Sequence, residues 1–235
     1  MRKYGFDNGS GTTFEHGLRF LSYPTFQFGN EIVNEIQIAG KPDALQEFTG
    51  SYEDTLISCV MEFTCSKVEE FEHEAYKIRK WIKSTKKLIF TDKEDRYFVV
   101  KTVEVQISRL YGVFGKVEAV FTCNPSVYLA DGDRAVDLAE SNTIFNPYSL
   151  SQPLYKISGN GSCSITVNGQ TVSVSVAEEV TIDTELMLAY QSDGALRNTD
   201  LSGDYEYLYL QEDENEISVS SDFVVQLIPK WRILL

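Results

Sequence analysis

The chain has 235 residues, 43% hydrophobic and 24% charged. That composition sets disorder aside and leaves room for one large β domain or two modest ones, each with its own core. No run nears the roughly 18 apolar residues of a membrane helix. The first twenty residues, MRKYGFDNGSGTTFEHGLRF, lack the apolar segment of a secretory signal, so export by that route is not expected. The net charge of −14 is unevenly spread. Residues 1–130 carry 16 basic and 18 acidic side chains, net −2; residues 131–235 carry 5 and 17, net −12. The shift predicts two domains meeting near Asp131, the second a poor ligand for phosphate backbones.

Residues 55–65, TLISCVMEFTC, alternate: Ile57, Cys59, Met61, Phe63 and Cys65 share one face, which predicts a half-buried strand. Cys59 and Cys65 lie roughly 20 Å apart along such a strand, too far to bridge. With Cys123 and Cys163 they make four cysteines without metal-ligand spacing, and the expectation is four free, mostly buried thiols. A helix over about 67–84 follows. Ser66 and Glu69 give a capping-box signature. Val68, Phe71, Ala75, Ile78 and Ile82 form an apolar stripe, and acids precede bases as the helix dipole favours. Short strands come next: 88–90, RYFVVK, about 103–110, and 114–123, with Asn124-Pro125 expected to interrupt the last.

The second region opens on a polar, turn-rich stretch, DGDRAVDLAESNTIFNPYS. Asn168-Gly169 between two alternating runs is its clearest hairpin signal. EEVTIDTELMLAY, YEYLYL, NEISVS and DFVVQLIPKWRIL complete a series of short strands, the pattern of a sandwich or jelly roll.

Catalytic machinery is sparse. His16 and His73 are the only histidines, neither beside a nucleophile motif, and GxGxxG, Walker A and HExxH patterns are absent. Asp183 and Glu185, read on one face of a strand, are the best acid pair for cutting sugars, but such pairs are common on solvated faces. The turns Asp131-Gly132-Asp133 and Glu212–Asn215 are acidic without following a calcium loop. Tyr205, Tyr207 and Tyr209, read on one strand face, suit a core or sheet surface better than a sugar platform.

Three stretches resemble the distal tail (Dit) proteins of phages with long non-contractile tails. NEIQIAGKPDALQEFTGSYEDTLISC looks like the family's strand, Gly turn, Leu, Gly-x-Tyr, strand pattern, carried by Gly40, Leu45, Gly50 and Tyr52. IRKWI…KLIFTDKEDRYFVVK and FGKVEAVFTCNPSVY look like its helix, strand, turn, strand, and a strand ending at Pro125. VTIDTELMLAY and the PKWRIL ending match at Ile182, Asp183, Pro229, Trp231 and Arg232. The sequence departs at Ala44, where a second Gly is usual, and at 211–214, where Pro-Gly is usual.

The resemblance implies a mainly β protein. Its N-terminal domain would be β-sandwich-like with one packed α-helix, residues 1–130. Residues 228–235 are expected to return to it, because Pro229 ends the preceding strand and WRILL is too apolar to stay in water. A C-terminal galectin-like β-sandwich, residues 131–227, would point outward. It implies a homo-oligomer, a hexameric ring joining the tail tube protein to a tail-associated tip protein and to receptor-binding protein. It implies a virion tail tip location after synthesis in the host cytoplasm. The sparse catalytic inventory adds the expectation of no enzymatic role and no cofactor, the acidic second half that of no nucleic-acid specificity, and the lack of a long apolar run that of no membrane. The competing readings are a free-standing carbohydrate-binding module and, behind it, a polysaccharide-degrading enzyme.

Overall fold

The computed structural model describes residues 4–41, 43–139 and 141–235. The chain is mostly β, 56% strand, with antiparallel sheets and, among the described residues, one α-helix. It divides into two compact units: Met1–Val127 with Leu234–Leu235, and Tyr128–Ile233.

The strands of the first unit are β1 (Phe6–Asp7), β2 (Arg19–Phe20), β3 (Thr25–Gln27), β4 (Glu31–Ile36), β5 (Leu45–Tyr52), β6 (Thr55–Thr64), β7 (Lys87–Phe90), β8 (Arg96–Tyr111) and β9 (Phe114–Leu129). Helix α1 spans Phe71–Lys83. The main sheet runs β1-β7-β8-β9-β6-β2, with β3 also on β6. The alternation expected in β6 is present: Ile57, Cys59, Met61 and Phe63 are buried. They pack with Phe6, Leu88, Phe121 and the inner face of α1, where Phe71, Ile78, Trp81 and Ile82 are buried. Phe6 and Trp81 stack at 5.2 Å, and the Arg109 guanidinium lies 4.3 Å over Phe71. All four cysteines are free and buried. Burial pushes the Cys59 thiol well above its ordinary range and the Cys123 thiol up to about 12.

Three expectations need correction here. Neither Ser66 nor Glu69 caps α1. A 3-10 turn at Val68–Glu70 intervenes, Val68 is exposed, and the helix starts without a side-chain cap. The segment around 103–110 is not a separate strand but the outer half of a continuous β8, since no turn residue breaks Arg96–Tyr111. Asn124-Pro125 does not end β9. The pairing of β9 with β6 stops at Cys123, but β9 has further partners in β8 and in β18 (Arg232–Leu234), and the Leu235 N–H donates to the Pro125 carbonyl at 3.3 Å.

The second unit contains β10 (Val136–Leu138), β11 (Ser141–Asn146), β12 (Leu154–Val167), β13 (Gln170–Asp183), β14 (Leu188–Tyr190), β15 (Leu201–Ser202), β16 (Asp213–Val219) and β17 (Val224–Ile228); β18 (Arg232–Leu234) ends the chain. The β12–β13 hairpin is its spine, paired without interruption from Leu154↔Asp183 to Val167↔Gln170. Asn168 (φ 50°) and Gly169 (φ 82°) make the expected left-handed two-residue turn. The core holds Tyr155, Ile157, Ile165, Val172, Val174, Ile182, Leu208 and Leu227. Buried Tyr155 donates its hydroxyl to the Leu208 carbonyl at 2.9 Å.

Tyr205, Tyr207 and Tyr209 do not share a strand face: Tyr205–Leu208 is a 3-10 turn, with Leu208 buried. Asp183 and Glu185 do not share one either, because β13 ends at Asp183. Asp183 accepts the Leu186 N–H at 3.0 Å and Glu185 accepts the Tyr128 hydroxyl at 2.6 Å, so both acids are occupied in local structure. The acidic 211–214 turn, where Pro-Gly was missed, is organised by buried Asn215. Its side-chain oxygen accepts the Gln211 N–H at 2.8 Å and its amide donates to the Gln211 and Asp213 carbonyls. Asp213 is left-handed there, at φ 70°.

Candidate assembly surface

The first unit carries a ribbon that belongs to no larger sheet. Among the described residues, strands β4 and β5 pair only with each other. Their register, Val33↔Phe48, Asn34↔Glu47, Glu35↔Gln46 and Ile36↔Leu45, settles which side chains share a face. Ile36 and Leu45 sit on one face, Val33 and Phe48 on the other. Each face therefore carries an apolar cross-strand pair, yet Leu45 is 55% and Phe48 63% exposed. A ribbon with apolar pairs on both faces and two open edges is an arm for contact, because an isolated hairpin is marginally stable in water.

The arm's root is built for close approach. A Cβ on Gly29 would lie 1.9 Å from the Glu53 carbonyl oxygen, and Glu53 N–H donates to the Asn30 carbonyl at 2.9 Å. The register shifts between Glu31 and Val33, and there Thr49 donates its hydroxyl to the Ile32 carbonyl at 2.8 Å. Neither Gly29 nor Thr49 stood out in the sequence. A glycine that lets two backbones touch carries no signal until the pairing is known.

Of the motif residues, four gather on this arm. Gly40 turns its tip at φ 85°, Leu45 opens β5, Gly50 is left-handed at φ 70° within β5, and Tyr52 closes β5 opposite Glu31. The others lie elsewhere. In the first unit, the Pro125 carbonyl accepts the Leu235 N–H at 3.3 Å. In the second, Asp183 ends β13 and Trp231 packs on the core; the Trp231 carbonyl accepts the Leu129 N–H at 2.9 Å. A Cβ on Gly132 would lie 2.3 Å from the Trp231 nitrogen, which makes that glycine of the Asp131–Asp133 turn a packing requirement. Lys230 pairs with Asp133 at 2.7 Å. Arg232 donates to the Leu150 carbonyl at 2.7 Å and to Gln152 at 2.6 Å.

Also in the first unit is an aromatic groove of about 270 Å³, walled by Tyr4, Tyr23, Phe26, Phe28, Phe90 and Phe98, with Asp92, Lys93 and Arg96 at its edge. The rings contact one another at 4.6 Å (Tyr4 to Tyr23), 5.7 Å (Phe26 to Phe90) and 6.1 Å (Phe26 to Phe28). Tyr23 and Phe28 remain exposed. Burial, with Asp92 adding to it, pushes the Tyr4 phenol well above its ordinary range, so it stays a neutral donor. The groove is smaller than the roughly 300–1,000 Å³ of small-molecule sites and suits a few apolar side chains.

His16 stacks on Trp81 at 4.2 Å and His73 is exposed on α1. Among the described residues, no three His, Cys, Asp or Glu side chains converge to hold a metal ion.

No protein-family model and no curated protein sequence matches the chain. The fold, however, is that of phage tail hub structures. The Dit protein of phage SPP1, described as a paradigm of the hub adsorption apparatus in phages infecting Gram-positive bacteria, aligns with a TM-score of 0.60 at 11% identity, covering 96% of this chain and 98% of that one. A chain of the phage P2 baseplate in its calcium-activated conformation aligns with a TM-score of 0.52 at 10% identity, covering 97% of each chain.

Proposed function

We propose that this chain is a hub protein of a phage tail tip, built into a closed ring of identical copies, most simply six. The observation that carries the reading is the β4–β5 arm, whose apolar pairs find no cover within their own unit, in a chain whose fold matches a phage hub protein along nearly its whole length. A ring needs heterologous contacts that close, and a projecting arm supplies one half of such a contact.

Charge supports the division of labour. Residues 1–130, net −2, can pack against copies of themselves with little repulsion; residues 131–235, net −12, resist self-packing. The first unit is then the ring former, and the second, galectin-like in this reading, is the one offered to receptor-binding protein. The tail tube and a tail-associated tip protein are the ring's other neighbours, and the location is the virion tail tip after synthesis in the host cytoplasm. The role is structural and non-enzymatic: the acids nearest to a hydrolytic pair, Asp183 and Glu185, are engaged in a turn and by a tyrosine hydroxyl.

Solution mass across a concentration series, followed by negative-stain imaging, tests the reading. Rings with peripheral knobs are expected at high concentration, or at the tips of purified tails. A chain that stays monomeric at every concentration and is absent from virions overturns it.

A further inference from the structure

We propose that the outer face of the β11–β16–β12–β13 sheet in the second unit binds a neutral, hydroxyl-rich glycan, with Phe145 stacking on a sugar ring and Glu214 and Glu216 accepting from sugar hydroxyls. This goes beyond the hub reading and does not depend on it, since the face needs no second copy.

Register places the residues. Ser141 pairs with Ser218, Ser218 with Thr166, and Thr166 with Thr171, so one row of four hydroxyls crosses β11, β16, β12 and β13. A second row runs through Ser164, Ser173 and Ser202. Directly paired residues share a face, and the residues that alternate with them, Ile165, Val172 and Ile217, are buried in the core, so the hydroxyls face outward. Strands about 4.8 Å apart and alternate residues about 6.8 Å apart make this a flat lattice of donors and acceptors. The Thr166 and Thr171 hydroxyls bond at 2.8 Å and those of Ser164 and Ser173 at 2.9 Å. Each such pair uses one hydroxyl proton internally and keeps the other, with lone pairs, for a ligand.

The lattice ends on a ring and two acids. Thr143 lies opposite Glu216, and Phe145 opposite Glu214, on the same face as the first row. All four are exposed, Phe145 by 58%. Among the described residues, neither carboxylate is ion-paired.

Chemistry selects the occupant. An open aromatic ring takes the C–H face of a pyranose, while a few fixed polar groups orient its hydroxyls. The hydroxyl rows lack the contiguous apolar surface that the centre of a protein interface needs. Residues 131–235, net −12, and the two carboxylates on the face turn away phosphate and uronate chains. A basic peptide would satisfy the carboxylates but leave the hydroxyl rows and the ring without a use.

The test titrates the full chain with uncharged maltohexaose and cellohexaose, and separately with polygalacturonate and hexalysine, following backbone amides by NMR. A neutral hexasaccharide is expected to shift β11, β16 and the adjoining parts of β12 and β13, equally at low and high salt. Polygalacturonate should shift nothing there. Phe145→Ala should weaken binding by about fivefold or more, the loss of one stacked ring, whereas Phe145→Tyr keeps the ring and the affinity. Glu214→Gln should weaken it by about threefold. Both positions are exposed, so thermal melts should match the wild type. Should Phe145→Ala melt low, the contrast between Phe145→Tyr and Glu214→Gln decides.

No shift from either neutral hexasaccharide, equal affinity in wild type and a folded Phe145→Ala, or a response of this face to hexalysine alone overturns the glycan site. The hub reading, which rests on the fold and the arm, stands in each case.

Discussion

The molecule contains two hairpins that solve opposite problems. The β12–β13 hairpin pairs 14 residues with 14, turns through Asn168-Gly169, and buries the alternating set Val172, Val174, Val176, Val180 and Ile182 in its own unit. The β4–β5 hairpin divides its apolar side chains between two faces and buries neither. The first is a finished structure whose register is fixed by its core. The second leaves both apolar faces open within one chain, as an arm that makes contacts in the proposed ring would.

The largest expected effect separates the two directly. Ile182→Ala opens a cavity in the spine of the second unit, where Ile182 is 0% exposed, and costs about 2–5 kcal/mol in chemical denaturation. Equal stabilities for variant and wild type would mean that the hairpin is not anchored as described.

Alkali should act on the sheet of the first unit and spare its arm, which holds no cysteine. The Cys59 and Cys123 thiols have folded pKa values above their unfolded ones, so the folded state keeps protons that the unfolded state releases. Their contribution is fully present below the unfolded thiol pKa of about 8.5. It falls as pH rises towards the folded values, with a slope approaching about 1.4 kcal/mol per pH unit for each thiol. Unfolding curves of wild type and a Cys59→Ala/Cys123→Ala variant should diverge above about pH 8.5, the variant losing less. Parallel curves would remove the thiols from the account.

Turn glycines sharpen the contrast. Gly169→Ala forces a side chain into φ 82° and should lower global stability by about 1–2 kcal/mol. Gly40→Ala meets the same strain at φ 85°, but an arm that opens locally should leave the global unfolding curve unmoved. The smallest effect is Phe48→Ala, which in the isolated chain should shift stability by no more than about 0.5 kcal/mol. A loss of several kcal/mol would show that Phe48 is packed within the chain.

The same contrast governs what could be read in the sequence. Strand β6, helix α1, the Asn168-Gly169 hairpin and the buried free thiols were legible, because each writes its burial into a local period or turn. The errors fall where tertiary context overrides a local rule. Pro125 continues β9 past its last pair with β6, at Cys123, among partners that the local sequence does not announce. Tyr205–Leu208 alternates like a strand but coils to bury Leu208. Ser66 has a cap signature that a 3-10 turn makes unusable. The motif residues Gly40, Leu45, Gly50 and Tyr52 marked the arm, yet its two apolar faces emerge only from the register. The groove gathers Tyr4, Phe26, Phe90 and Phe98 from four separate segments, which no local pattern announces.

Amide hydrogen exchange, followed peptide by peptide in dilute chain and in the assembled ring, tests the central claim most directly. The account predicts that β4 and β5 exchange much faster than β12 and β13 in the dilute chain, then slow by about tenfold or more in the ring while β12 and β13 hold steady. An arm that exchanges as fast in the ring as in the free chain would contradict it.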